Sequence, residues 1–355
     1  MIFNGIILTC VAKIQGERTV SSIYHLLKGK KSIQTVQDAH IYRLDKFYCI
    51  YSILTKEKFN RKIKKLTESG LLNPVENQNS IFQLSNRGVN WLEEHKDQLK
   101  IEYFNGLKYN ETADIFYLRL LLLVQTLTNI KMRSFNFIPV TDNHAAERWV
   151  KQMYRTMKNS EKNVTVALYD ELLTILKYLP DQDATLFVDR LTGYKNIGLS
   201  TNQLSQKFNL TEEDVHLLLK GIVHRMITLI YKEKEHFPLH VYMLKDLYKS
   251  NQITQSANKT NQLLEKGYSI DQIAAMRNLK TNTIHDHIVE IALYNSEFPL
   301  NNYISINDQN EVINVLNKEK SFKLKDIKNS VNVNISYFQI RLVLAVNKKL
   351  LRIGD

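Results

Sequence analysis

The sequence predicts a mostly α-helical protein, and three observations carry that expectation. Only 11 glycines and 5 prolines punctuate 355 residues, fewer than the frequent turns of a β-rich fold require. Leu, Lys, Ile and Asn are abundant, and apolar residues recur at three- and four-residue spacing along much of the chain. Several of these runs open on Ser or Thr, whose side chains satisfy the free N–H groups at a helix start. A chain of this length has room for two or three domains, each with its own core. Shifts in pattern place the boundaries near residues 100 and 252.

Residues 1–100 read as one unit. Helical spacing covers Ile2 to Ile14, Thr19 to Leu27 and Ile33 to Leu44, and the segment Phe47 to Leu54 leads into a helix from Lys56 to Ser69. After Gly70, Leu71 to Pro74 and Ile81 to Leu84 flank a polar Glu76 to Ser80, the pattern of two short strands and a turn. Val89, Trp91 and Leu92 restart a helix. Helix, hairpin and helix in that order is the pattern of a winged-helix-like domain, with Lys56 to Ser69 as its recognition helix. On that helix Phe59, Ile63 and Leu66 face inward, while Lys58, Arg61, Lys62 and Lys65 form one basic stripe. From Lys28 to Lys65 there are eleven Lys or Arg against three acids (Asp38, Asp45 and Glu57), a net +8. Such a stripe suits a row of phosphates, although the wing between the strands is not basic.

Residues 101–252 form a helical middle. Ala113 to Thr128 is apolar nearly all round, as a buried helix is. The apolar run Phe116 to Val124 is interrupted by Arg119 and falls short of the roughly 20 residues of a membrane span. Helical spacing continues through Ala145 to Met157, Val164 to Leu179 and Ala184 to Leu191. A helix-turn-helix-like unit follows: Ser200 caps Thr201 to Phe208, Asn209 and Leu210 turn the chain, and Thr211 opens a helix burying Val215, Leu218, Leu219 and Val223. Glu212, Glu213 and Asp214 in its first turn repel phosphate, which points to a structural or protein-binding role.

Residues 253–355 hold the plainest device, a helix-turn-helix. A first helix ends at Leu264 and stops at Gly267, and Ser269 caps a second over Ile270 to Arg277. Asn278 to Lys280 make the turn. Thr281 stands where it can cap a third helix, whose stripe of Ile284, Ile288, Ile291 and Ala292 leaves Asn282, Asp286 and Glu290 outward. Further helices are expected over Asn310 to Leu316, Leu324 to Ser330 and Ser336 to Leu351, the last despite the alternation of Phe338, Ile340, Leu342 and Leu344.

The run Leu264 to Ala274, with Arg277 to Lys280, Thr283, Ile284 and His287, resembles the helix-turn-helix domain appended to RecQ-type helicases. Phe298-Pro299-Leu300 and Tyr303-Ile304 fit the same pattern. Across the whole chain the likeness, looser in length and order, is to the YpbB-type helix-turn-helix proteins of Firmicutes, companions of the RecQ-like helicase RecS. The resemblance implies a DNA-binding accessory that partners a RecQ-like, RecS-type helicase in DNA repair or recombination. A helix-turn-helix transcription regulator and a protein–protein adaptor without DNA binding are the alternatives.

Charge agrees with a nucleic-acid partner, the chain carrying a formal net +12. It is unevenly spread. Lys318 to Arg352 has nine basic residues against Glu319 and Asp326, whereas Thr254 to Leu300 has four against five acids. DNA backbone contacts are therefore expected from Lys58, Arg61, Lys62 and Lys65 and from Lys348, Lys349 and Arg352 in the last basic segment. Lys280, Thr281, Asn282 and Thr283 supply a minor surface.

Chemistry is not expected. Gly29-Lys30-Lys31-Ser32 has Tyr24 where a phosphate-binding loop needs its first glycine. His285 and His287 are two apart on a helix and cannot share a metal, and Pro238 separates His236 from His240. Asp181 and Asp183 read as helix caps, and Cys10 and Cys49 have no metal or disulfide spacing. The expectation is a cytoplasmic non-enzyme without cofactor, metal, small-molecule substrate or membrane contact.

Overall fold

A computed structural model describes residues 1–76, 80–157, 160–247, 253–319 and 321–347. Nineteen α-helices and one two-stranded sheet occur among them. The first unit runs α1 (Ile2–Ile14), α2 (Val20–Lys28), α3 (Ile33–Ile41), α4 (Lys56–Glu68), β1 (Leu72–Pro74), β2 (Phe82–Leu84) and α5 (Asn86–His95). The strands pair antiparallel, Leu72 opposite Leu84 and Pro74 opposite Phe82, so helix, hairpin and helix follow as the pattern predicts. Gly88 lets α5 close on the hairpin, since a Cβ there would sit 2.3 Å from the Leu71 carbonyl oxygen.

The middle comprises α6 (Gly106–Tyr109), α7 (Thr112–Lys131), α8 (His144–Thr156), α9 (Glu161–Lys177), α10 (Asp181–Asp189), α11 (Thr201–Phe208), α12 (Glu212–Lys232) and α13 (Pro238–Leu244). The 20-residue α7 is longer than the apolar run implied, and by length and composition it could cross a membrane. It is instead packed against α8, α9, α12 and α13. Arg119 is buried within it, its guanidinium bonded to Asp246 at 2.6 Å and to the Met243 carbonyl. The axis of the molecule is α12, buried along most of its 21 residues. Ser200 caps α11 in a reciprocal capping box with Gln203, and Thr211 caps α12. Asp214 does not face solvent. It accepts the Phe3 backbone N–H at 2.8 Å and the N-terminal ammonium, tying α1 to α12. Asp181 and Asp183 do not cap α10, whose N-cap is Pro180 with no side-chain bond. Asp183 is fully buried, paired with Lys100 and accepting the Tyr103 hydroxyl at 2.9 Å.

The last unit runs α14 (Gln255–Glu265), α15 (Ile270–Arg277), α16 (Thr281–Tyr294), α17 (Ile306–Glu319), α18 (Leu324–Ser330) and α19 (Tyr337–Val346). The final segment is helical rather than extended because Ser336 and Gln339 form a capping box at its start. Helix α17 is longer than the spacing implied. One cluster of buried apolar side chains runs through all three units, and α16 packs against α3 of the first as well as α14, α15 and α19.

Candidate nucleic-acid interface

The α4 stripe is built from its cap upward. Thr55 Oγ1 accepts the Lys58 N–H at 3.2 Å, and Glu57 sits in the first turn, where the helix dipole favours an anion. Phe59, Ile63 and Leu66 are buried, which turns the opposite face outward. Lys58, Arg61 and Lys65 are exposed on that face. Lys62 is half-buried, its ammonium 5.4 Å from the Phe3 ring centre. Among the described residues none of these four side chains makes an ion pair; Lys64 beside them pairs with Glu68 at 3.7 Å. The Lys62 edge adjoins Phe3, whose N–H is held by Asp214, so the acidic first turn of α12 borders the stripe there. At the other end Lys56 donates to Ser21 Oγ at 2.9 Å and lies 4.7 Å from the Tyr24 ring centre, which Lys28 also approaches. Spacing on α4 alone did not reveal that α2 extends the cationic surface.

At the C-terminal helix-turn-helix, Gly267 adopts φ +85° beyond α14, and Ser269 and Gln272 form a capping box on α15. Asn278 makes the turn at φ 50°. Thr281 is not the cap of α16: Lys280 occupies that position, and no side chain closes it. Lys280, Thr281 and Asn282 are exposed and Thr283 half-buried. Asp286 and Glu290 do not point freely outward. Arg341 of α19 donates to Asp286 at 2.7 Å, and Glu290 accepts the Thr254 N–H and hydroxyl at the start of α14. The latter carboxyl is held above its ordinary range by burial, against which the Thr254 bonds work. The Arg341 guanidinium offsets the Asp286 charge, and Thr254 engages Glu290 away from the tip of α16. They also close the helix: His285 stacks on Phe338 of α19 at 4.0 Å and Val289 is fully buried. Only the N-terminal tip of α16, residues 280–283, remains open.

Arg277 is likewise an internal brace, bonded to Ser256 and Thr260, and Thr260 bonds the buried His287 at 2.9 Å. Lys348, Lys349 and Arg352 lie outside the described residues. Within the same basic segment Lys328 is engaged with the Val333 and Ile335 carbonyls, and Arg341 with Asp286 and Gln37. Arg341 is offset by an acid, and Lys328 keeps its charge but has its ammonium donors engaged within the fold. Elsewhere His236 is exposed, whereas His240 is buried against Glu171 at 2.8 Å. Ser32 caps α3 rather than closing a phosphate loop. Among the described residues no three His, Cys, Asp or Glu cluster as metal ligands.

A family model described as a helix-turn-helix domain matches residues 256–344, which spans α14 to α19. Protein YpbB of Bacillus subtilis (strain 168) is 32% identical over 343 residues, covering 96% of each chain. The chain belongs to the YpbB family. Its helix-turn-helix domain marks this YpbB relative as a protein of DNA-binding type, and α19, inside the matched region, is part of that domain rather than an appendage. No solved structure gives a significant match.

Proposed function

We propose that the chain is a non-catalytic DNA-binding accessory of a RecQ-like, RecS-type helicase, acting in the cytoplasm in repair or recombination. The observation that carries DNA binding is the row Lys58, Arg61, Lys62 and Lys65, four cations on one helix face without a carboxylate partner among the described residues. Burying their neighbours fixes the row in space, so that a phosphate backbone meets it without much ordering of the protein. Residues 1–100 then serve as the main DNA-contacting domain and 101–252 as a connector. Residues 253–355 add Lys280, Thr281, Asn282 and Thr283, with Lys348, Lys349 and Arg352 as further backbone contacts. The helicase partnership rests on the resemblance to the YpbB-type companions. The closure of α16 by α19 favours a second reading for the last unit, a protein-docking module rather than a groove reader.

The first test is a salt titration on random-sequence duplex, forked and single-stranded DNA. Each phosphate contact contributes about 0.7 to 0.9 to the slope of log affinity against log salt. Replacing Lys58, Arg61, Lys62 and Lys65 with Ala is expected to flatten the slope by about 3 to 3.5 and to weaken all sequences alike. Salt-independent binding would leave the adaptor, and one strongly preferred sequence the regulator. Co-purification with a RecS-type helicase tests the partnership separately.

A further inference from the structure

A cleft of about 420 Å³ opens between α2 and α3, large enough for a nucleobase and part of its sugar. Its floor is apolar, formed by Ile14, Ile23, Leu26, Ala39 and Leu44, and Tyr42 makes one wall. The acids at its inner end are occupied: Asp38 holds Arg18 at 3.0 Å, and Glu17 accepts both the Tyr42 hydroxyl and the Phe322 N–H. The mouth differs. Among the described residues the side chains of His25, Lys30 and Gln34 make no hydrogen bond or ion pair with protein. Burial, with Lys30 and Lys56 nearby, holds His25 below its ordinary range, so its imidazole is neutral near pH 7. A neutral ring both donates and accepts, as does the Gln34 amide, and base edges present the same mixture.

Position decides which ligand this chemistry serves. Ser21, on the cleft wall, accepts a hydrogen bond from Lys56, the first residue of α4. The mouth therefore opens where the cationic row begins, and Ile81, just before β2, borders the other side. A strand whose phosphates follow α4 passes this mouth. A base held in a duplex is stacked on both faces and cannot enter a pocket lined on its floor by aliphatic side chains, whereas an unpaired base can.

We propose that the α2–α3 cleft receives one unpaired base of a DNA strand whose backbone lies along α4, giving the protein a preference for single-stranded or forked DNA. This rests on the DNA-binding reading above. The apolar floor supplies the attraction that is independent of sequence, and His25, Gln34 and Lys30 meet the base edge and its phosphate.

The test compares oligonucleotides of equal length and charge, one a normal single strand and one an abasic strand. The intact strand is expected to bind at least tenfold tighter, and a 2-aminopurine placed in it should change fluorescence on binding. Ser22→Trp, which fills the mouth, should erase both effects, and Gln34→Ala, at an exposed position, should weaken the preference several-fold without risk to folding. Equal binding of intact and abasic strands with normal salt dependence overturns the cleft assignment alone. Binding of neither strand nor duplex at low salt overturns the DNA-binding reading itself. Displacement of the 2-aminopurine signal by micromolar free nucleoside monophosphate would make the cleft a mononucleotide pocket, which also overturns the proposal.

Discussion

Two histidines on α12 show how a single buried side chain ties the fold to pH. His224 is buried and takes the Asn105 N–H at Nδ1, 3.0 Å away, a bond only a neutral ring can accept. His216 stacks on Tyr51 at 4.7 Å, and burial with nearby Lys220 lowers it to about 4; burial lowers His224 to about 3. Above their ordinary value near 6.5, both rings are neutral in the folded and unfolded chain, and these two groups contribute no pH dependence to stability. Below it the unfolded chain takes up protons that the folded chain refuses, so stability falls as pH drops from 6.5 toward 4. For His216 the loss amounts to about 3 kcal/mol across that window. His216→Phe keeps the stack and removes the proton site. Its melting temperature is expected to fall less than that of the natural chain between pH 7 and 5, and parallel profiles would show that His216 does not contribute. Nothing in the sequence marks these two histidines, because their neutrality comes chiefly from burial, and the partners that cover them, Tyr51 and Asn105, lie more than a hundred residues away.

At the scale of the element, what was legible was what is local. Ser269 and Gln272 are three residues apart, and their reciprocal bonds at the start of α15 follow from that spacing alone. The same holds for Ser200, Thr211 and the row on α4. Thr281 misled because Thr is a common cap, yet the chain enters the helix one residue earlier, at Lys280. The two residues therefore give opposite expectations. Ser269→Ala should cost about 1 kcal/mol in a denaturant titration, whereas Thr281→Ala should change stability by less than about 0.5 kcal/mol, since the hydroxyl closes no backbone group. Any loss of DNA affinity in Thr281→Ala then reports on contact rather than folding. A large destabilisation would restore Thr281 as a structural residue. The openness of α16 was not legible in any such pattern. Phe338 and Arg341 cover it from α19, some 50 residues on, and Glu290 is turned to Thr254 at the other end of the domain.

For the whole molecule the question is whether three units with distinct sequence patterns melt as three or as one. The seam between first and last is polar: Gln37 donates to the Arg341 carbonyl at 3.0 Å, Glu17 and Arg18 hold the two sides of the Phe322 backbone, and Tyr42 meets the Phe322 ring edge-on. Polar seams of this kind between domains part easily. Against it stand contacts that are buried. Helix α1 lies on α12 with Phe3 bonded to Asp214, Lys100 and Tyr103 converge on Asp183, and one apolar cluster is continuous through all three units. Exposing that cluster at any one boundary costs far more than parting the few half-exposed hydrogen bonds of the seam. The expectation is a single calorimetric transition. Asp183→Ala strips the partner from a largely covered ammonium and a buried phenol, at a cost of about 3 kcal/mol. If the units are coupled, that substitution lowers the whole transition without splitting it, although residue 183 lies far in sequence from the helix-turn-helix of the last unit. A second transition that stays at its original temperature would show that residues 253–347 unfold on their own, and that the seam at Arg341 and Phe322, not the shared core, sets how the first and last units are held together.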